Sequence, residues 1–129
     1  MNLARDELSE RKVFQELIES EKLKIVFRPG NRIFPNPKGY KVNEIVTIRI
    51  VTKPGDDELN RPPIFNNFKK RVRIKNITVK DINELDDDDF ISSYPTINNT
   101  DLLKYHLGLI YNLSPSDITE ISKIELEYV

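Results

Sequence analysis

Seven consecutive positions, Lys69-Lys70-Arg71-Val72-Arg73-Ile74-Lys75, hold five cations, and two aromatics, Phe65 and Phe68, precede them. Cations neutralise phosphates and aromatic rings stack on bases, so these are the residue types of a nucleic-acid groove. The plainer explanation is an edge strand whose charges block aggregation. A second cationic set, Lys22, Lys24, Arg28 and Arg32, is suited to line a cleft that holds a phosphate or base. Its alternative role is surface ion pairing with Glu19, Glu21 and the acidic C-terminal half. The run Asp86-Asp87-Asp88-Asp89 has the oxygen ligands a divalent cation needs. A helix start explains it more simply, because carboxylates favour the positive end of a helix, so no metal is assigned. His106 is the single histidine and the chain has no cysteine. Multi-histidine metal sites, thiolate zinc sites, disulfides and thiol catalysis are excluded. No Ser–His–Asp set can be built around His106. The four glycines, at 30, 39, 55 and 108, are scattered, so no phosphate-cradling loop and no cofactor motif is present.

The charges are divided along the chain. Residues 1–80 hold 18 Lys+Arg against 10 Asp+Glu, a net of +8, while residues 81–129 hold 2 against 11, a net of −9. The overall −1 conceals this. A positive surface invites polyanions, whereas two halves packed together would neutralise each other. At 129 residues, with 38% hydrophobic and 32% charged, the chain is read as one domain, 1–129, with a small core. The first residues lack the apolar stretch of a signal peptide and no run spans a membrane, so a cytoplasmic protein without membrane partners is expected.

These side chains need elements to position them. Residues 3–22 read as an amphipathic helix, with Leu3, Phe14, Leu17 and Ile18 near a 3.6 period and Val13 beside them. Residues 24–28 read as a short strand ended by Pro29-Gly30-Asn31. Residues 44–52 are the clearest strand, Val46, Ile48 and Ile50 alternating with Ile45, Thr47, Arg49 and Val51. Residues 53–68, with Pro54-Gly55 and Pro62-Pro63, form a long loop, a length usually functional in a small domain. Residues 70–79 are a strand that sets Arg71, Arg73 and Lys75 opposite Val72 and Ile74. Asp86 caps a helix start. Thr100-Asp101 caps a helix running to Leu113, with Leu103, Leu107, Ile110 and Tyr111 inward. Residues 123–129 close the chain as a strand. This order predicts an α+β, mostly β, fold: a small barrel or curled sheet with helices at its rims.

The same order resembles the ASCH domains of the PUA-like superfamily. The C-terminal half is most similar, through Ile82 to Phe90, Asp101 to Tyr111 and Ile121 to Val129. In the N-terminal half, Phe14-Gln15-Glu16-Leu17-Ile18 precedes a lysine-containing strand ending in Arg28. Tyr40-Lys41-Val42-Asn43-Glu44-Ile45-Val46-Thr47 is similar to the family's approach to its central strand, with Asn43-Glu44 in place of Gly-Asp. The family's Gly-x-Lys-x-x-(Glu/Thr)-x-Arg segment retains only Arg28; Glu21, Leu23 and Val26 stand at the other positions. Some small members resembling this length are amidohydrolases on acetylated cytidine. For that chemistry the resemblance implies a Lys at position 23, a Thr at position 26 and an acid at Asp87. Leu23 cannot titrate and Val26 is no nucleophile.

The reading is therefore a non-catalytic ASCH/PUA-like domain that binds RNA or a nucleotide through Lys22, Lys24, Arg28, Arg32, Phe65, Phe68, Arg71, Arg73 and Lys75. One alternative is an amidohydrolase on an acylated nucleoside. The other is a protein-interaction module using opposed basic and acidic faces, toward a partner or a second copy in a homodimer.

Overall fold

The computed structural model describes residues 7–53, 55 and 59–129. Strand β1 is Glu7–Arg11, followed by a 3-10 turn at Lys12–Phe14 and the short helix α1, Gln15–Glu19. Strand β2 is Ile25–Pro29, β3 is Ile45–Lys53 and β4 is Ile64–Asp81. Helix α2, Thr100–Tyr111, and strand β5, Glu120–Tyr128, complete the chain. The fold is a small, mostly-β α+β fold built on a curled sheet of five strands in the order β1-β3-β4-β5-β2. Of these neighbouring strands, β1 and β3 pair in parallel; β3–β4, β4–β5 and β5–β2 are antiparallel.

Alternation dictates β3. Val46, Ile48 and Ile50 are buried, while Ile45, Thr47, Arg49 and Val51 are only partly covered. In β4, Val72 and Ile74 enter the core and Arg71 and Arg73 face outward. Register shifts between Arg49 and Val51 and between Ile74 and Asn76 mark bulges. Extra residues on one strand bend and twist a sheet, which helps curl this one. Consecutive strands β1 and β2 end up as its two edges, near enough for a side chain to link them.

Four expectations need correction. The helix expected over 3–22 is instead β1, a 3-10 turn and the five-residue α1; its first residues lie outside those described. Pairing of Glu7–Arg11 with β3 from Thr47 to Val51 overrides the local pattern, and Val13 is 72% exposed. The loop expected over 53–68 is shorter. Residues 54 and 56–58 lie outside the described set, and β4 begins at Ile64, immediately after Pro62-Pro63, pairing Ile64 with Lys53. The cap of α2 is Asn99, whose side chain accepts from Leu102 N at 2.9 Å, an interaction worth about 1 kcal/mol. On α2 itself, Leu103 and Leu107 are buried, but Ile110 is 44% exposed, because the helix covers the sheet along one narrow stripe. The helix ends at Asn112 in the left-handed region (φ 54°).

The charge halves meet across β4 and β5. Antiparallel pairing sets Arg73 opposite Glu127, with Arg73 Nε 3.5 Å from its carboxylate, and brings Asn76 to Glu125. Asp89 receives Lys123 at 2.9 Å and Lys80 at 3.2 Å. Asp86 caps the 3-10 turn Asp87–Phe90 in a full capping box with Asp89, so the acidic run is absorbed by local structure. Among the described residues, no three acidic or histidine side chains group as a metal site, and no helix is long and apolar enough to cross a membrane.

Candidate ligand-binding cleft

Among the described residues, the two sheet edges do not pair through a backbone ladder. Between them opens a cleft of about 830 Å³, within the range of small-molecule sites. Its floor is a hydrogen-bonded group of Glu10 (β1), Arg28 (β2) and Tyr94, all at least nine-tenths buried. Position 28 alternates with Phe27 on β2, and both line the cleft because the strand lies at the curled seam. Tyr94 is carried in by the segment after the acidic turn, which is tied to β2: Lys24 N and Ile25 N donate to Ser92 O, and Ser93 Oγ donates to Ile25 O.

Arg28 makes four hydrogen bonds in this floor. Nη1 donates to Phe27 O at 2.9 Å and to Tyr94 Oη at 3.3 Å; Nη2 donates to Ser9 O at 2.7 Å and to Glu10 Oε1 at 3.2 Å. Tyr94 Oη donates to Glu10 Oε1 at 2.6 Å. Burial is the largest single influence and opposes the charge on Arg28, yet the Glu10 carboxylate together with Tyr94, Tyr111 and Tyr40 outweighs it and holds the guanidinium firmly protonated, its pKa raised. Burial, with Glu10 next in weight, pushes the Tyr94 phenol well up, so it stays a donor.

Above the floor, Phe34, Phe65, Tyr40 and Tyr111 supply aromatic walls. The Arg49 guanidinium sits 4.6 Å from the Phe65 ring centroid and pairs with Glu7 at 3.2 Å, which steadies that wall. Arg32 lies 5.7 Å from the Tyr111 centroid and donates to Pro29 O, placing a cation at the mouth. The lip is the loop 32–40, closed by Tyr40 N to Arg32 O and Phe34 N to Tyr40 O. Gly39 is required there, since a Cβ would stand 2.8 Å from Asn36 O and Phe34 N. His106 reaches the cleft from α2, its ring 5.9 Å from that of Tyr94 and 6.0 Å from that of Phe14. It has no hydrogen-bond partner among the described residues. Burial, then the charges of Arg11 and Arg28, lowers its pKa to about 4, so it is neutral at pH 7. Comparison with protein-family models, with curated proteins and with solved structures finds no match to this chain.

The nine residues singled out in the sequence are divided by the fold. Arg28, Arg32 and Phe65 meet in the cleft. Lys22 and Lys24 are exposed and do not line it. Phe68 packs against the core. Arg71 and Arg73 stand on the opposite face of β4 from that core, and Lys75 is exposed at the bulge. Arg28, Arg71 and Arg73 therefore do not share one concave surface. Glu10, Tyr94, Tyr40, Tyr111 and His106 escaped the sequence reading as site residues. Glu10 lay in a segment read as helix and Tyr94 in a segment without periodicity. For His106 the one signal was its place beside the buried stripe of α2.

Proposed function

We propose that this chain is a non-catalytic nucleotide-binding domain of the ASCH/PUA-like kind, taking a nucleotide, free or as one unit of an RNA strand, into the seam cleft. The observation that carries the reading is the floor. A buried glutamate, arginine and tyrosine, hydrogen-bonded to one another, face a space large enough for a base and sugar. Buried ion pairs contribute little to stability compared with apolar packing, so this one at the bottom of a cleft fits recognition of a ligand's polar edge. Aromatic walls supply stacking surface, and Arg32 at the mouth supplies charge for a phosphate. The mostly-β curled sheet with α2 at its rim supports the ASCH-like architecture.

The amidohydrolase alternative draws no support from its assigned positions. Leu23 and Val26 are both 0% exposed in the core, and Asp87 belongs to a capped turn outside the cleft lining. The opposed-faces module is weakened because β4–β5 pairing spends Arg73 of the basic half on Glu127 of the acidic half.

Isothermal titration with nucleoside monophosphates, and anisotropy with a labelled single-stranded RNA of about ten nucleotides, test the proposal. Saturable binding is expected. No binding of either at about 50 mM salt, where phosphate contacts are strong, overturns it.

A further inference from the structure

The polar floor has two unspent groups. Tyr94 has one hydroxyl hydrogen, and its short bond, 2.6 Å, goes to Glu10 Oε1; Oε2 receives only the long arm at 3.2 Å. A carboxylate oxygen accepts more than that, so Glu10 Oε2 keeps free acceptor capacity. Arginine carries five N–H donors, and the four bonds of Arg28 all leave from Nη1 and Nη2. Its Nε–H has no partner among the described residues. Glu10 and Arg28 are 5% and 8% exposed, and both line the cleft. A spare anionic acceptor and a spare donor therefore sit on neighbouring side chains at the bottom of a nucleotide-sized space.

We infer that Glu10 is the specificity-determining residue of the cleft. It accepts an N–H from a base whose edge sets an amino donor beside a ring acceptor, as adenine and cytosine do, while Arg28 Nε–H donates to that ring nitrogen. The inference rests on the nucleotide-binding reading and adds the base feature selected. Burying Glu10 Oε2 against a ligand without a donor leaves an ionised acceptor unpaired, which discriminates more strongly than a lost contact would.

The test compares AMP and CMP with N6,N6-dimethyl-AMP and N4,N4-dimethyl-CMP, by isothermal titration on the wild-type chain and on Glu10→Gln. In that variant the side-chain oxygen still accepts from Tyr94 and Arg28, and the new amide turns a donor toward the ligand. The wild type is expected to bind at least one parent nucleotide about 10- to 100-fold more tightly than its dimethyl form. Glu10→Gln should weaken the parent by a similar factor and shrink the ratio below about threefold, removing steric exclusion of the methyl groups as the explanation. Equal wild-type affinity for parent and dimethyl ligands overturns this inference alone. So does a folded Glu10→Gln chain, checked by thermal melting, that keeps the full ratio. If that variant fails to fold, N6-methyl-AMP and N4-methyl-CMP, which carry a methyl group yet keep one N–H, replace it: wild-type affinity within about threefold of the parent is expected, and a loss as large as that of the dimethyl form overturns the inference. Binding of none of the four overturns the nucleotide reading and this inference with it.

Discussion

Arg28 Nη2 lies 3.2 Å from Glu10 Oε1, and this ion pair joins the two edge strands of the sheet across the seam, where the described strands form no backbone ladder. Arg28 Nη2 also caps Ser9 O at 2.7 Å, so one guanidinium serves both as closure and as cleft floor. Removing one partner strands the other charge in a dry place. Arg28→Met and Glu10→Leu are each expected to destabilise the fold by about 3–5 kcal/mol, and the double variant by less than the sum. Urea unfolding of the four proteins checks this; additive losses would show that the pair is uncoupled.

Phe65 is held against Arg49 and faces the cleft, whereas Phe68 is packed on the core. Phe65→Ala should weaken nucleotide binding by about 1–3 kcal/mol through lost stacking. Phe68→Ala should instead lower stability with ligand affinity nearly unchanged. Titration and urea melts of both variants separate the two effects, and a reversed pattern would refute the placement of the stacking wall.

The outward cations of β4 are expected to matter for a strand and not for a single nucleotide. Arg71 is exposed and Arg73 shares a half-exposed ion pair with Glu127. Arg71→Glu with Arg73→Glu should change stability by only about 0.5 kcal/mol per site and leave AMP affinity unaltered. For single-stranded RNA, two lost phosphate contacts should flatten the log–log salt dependence by about 1.4. An unchanged RNA slope would confine nucleic-acid contact to the cleft.

Asp89 gives the fold an acid-sensitive tie. Burial raises its pKa, but the hydrogen bond from Asp86 N and those from Lys123 and Lys80 outweigh it and hold the carboxyl down, at about 2. The folded value lies below the unfolded 3.8, so the stabilisation is present above the latter and vanishes as pH falls from about 4 to about 2. The loss over that window should be about 2 kcal/mol. Urea unfolding at pH 5 and pH 2 should show this difference, and Asp89→Asn should reduce it.

His106 follows the same proton logic in a higher pH window. Its folded pKa near 4 lies below the unfolded 6.5, so the unfolded chain binds more protons between those values. Its contribution to stability falls as pH drops from about 6.5 to about 4. The single histidine ring should titrate by NMR with a midpoint near 4. A midpoint above 6 would place the ring in solvent and remove it from the cleft.

The sequence by itself determined β3, the central part of β4, the terminal strand and α2. The alternation of Val46, Ile48 and Ile50 and the spacing of Leu103 and Leu107 follow from backbone periods acting over a few residues. The capped turn at Asp86 was legible for the same reason, since a capping box spans only four positions. Tertiary structure decided β1, a polar Glu-Leu-Ser-Glu-Arg segment with weak strand propensity that extends only because β3, some forty residues on, offers it a ladder. It also decided the site. Glu10 meets Arg28 across 18 residues of chain and Tyr94 across 84, and neither separation leaves a local pattern. The basic run of β4 was the loudest signal in the sequence, yet pleating turned Arg71 and Arg73 away from Arg28. Strand period sets which side chains share a face, but only the curl of the whole sheet sets which faces meet.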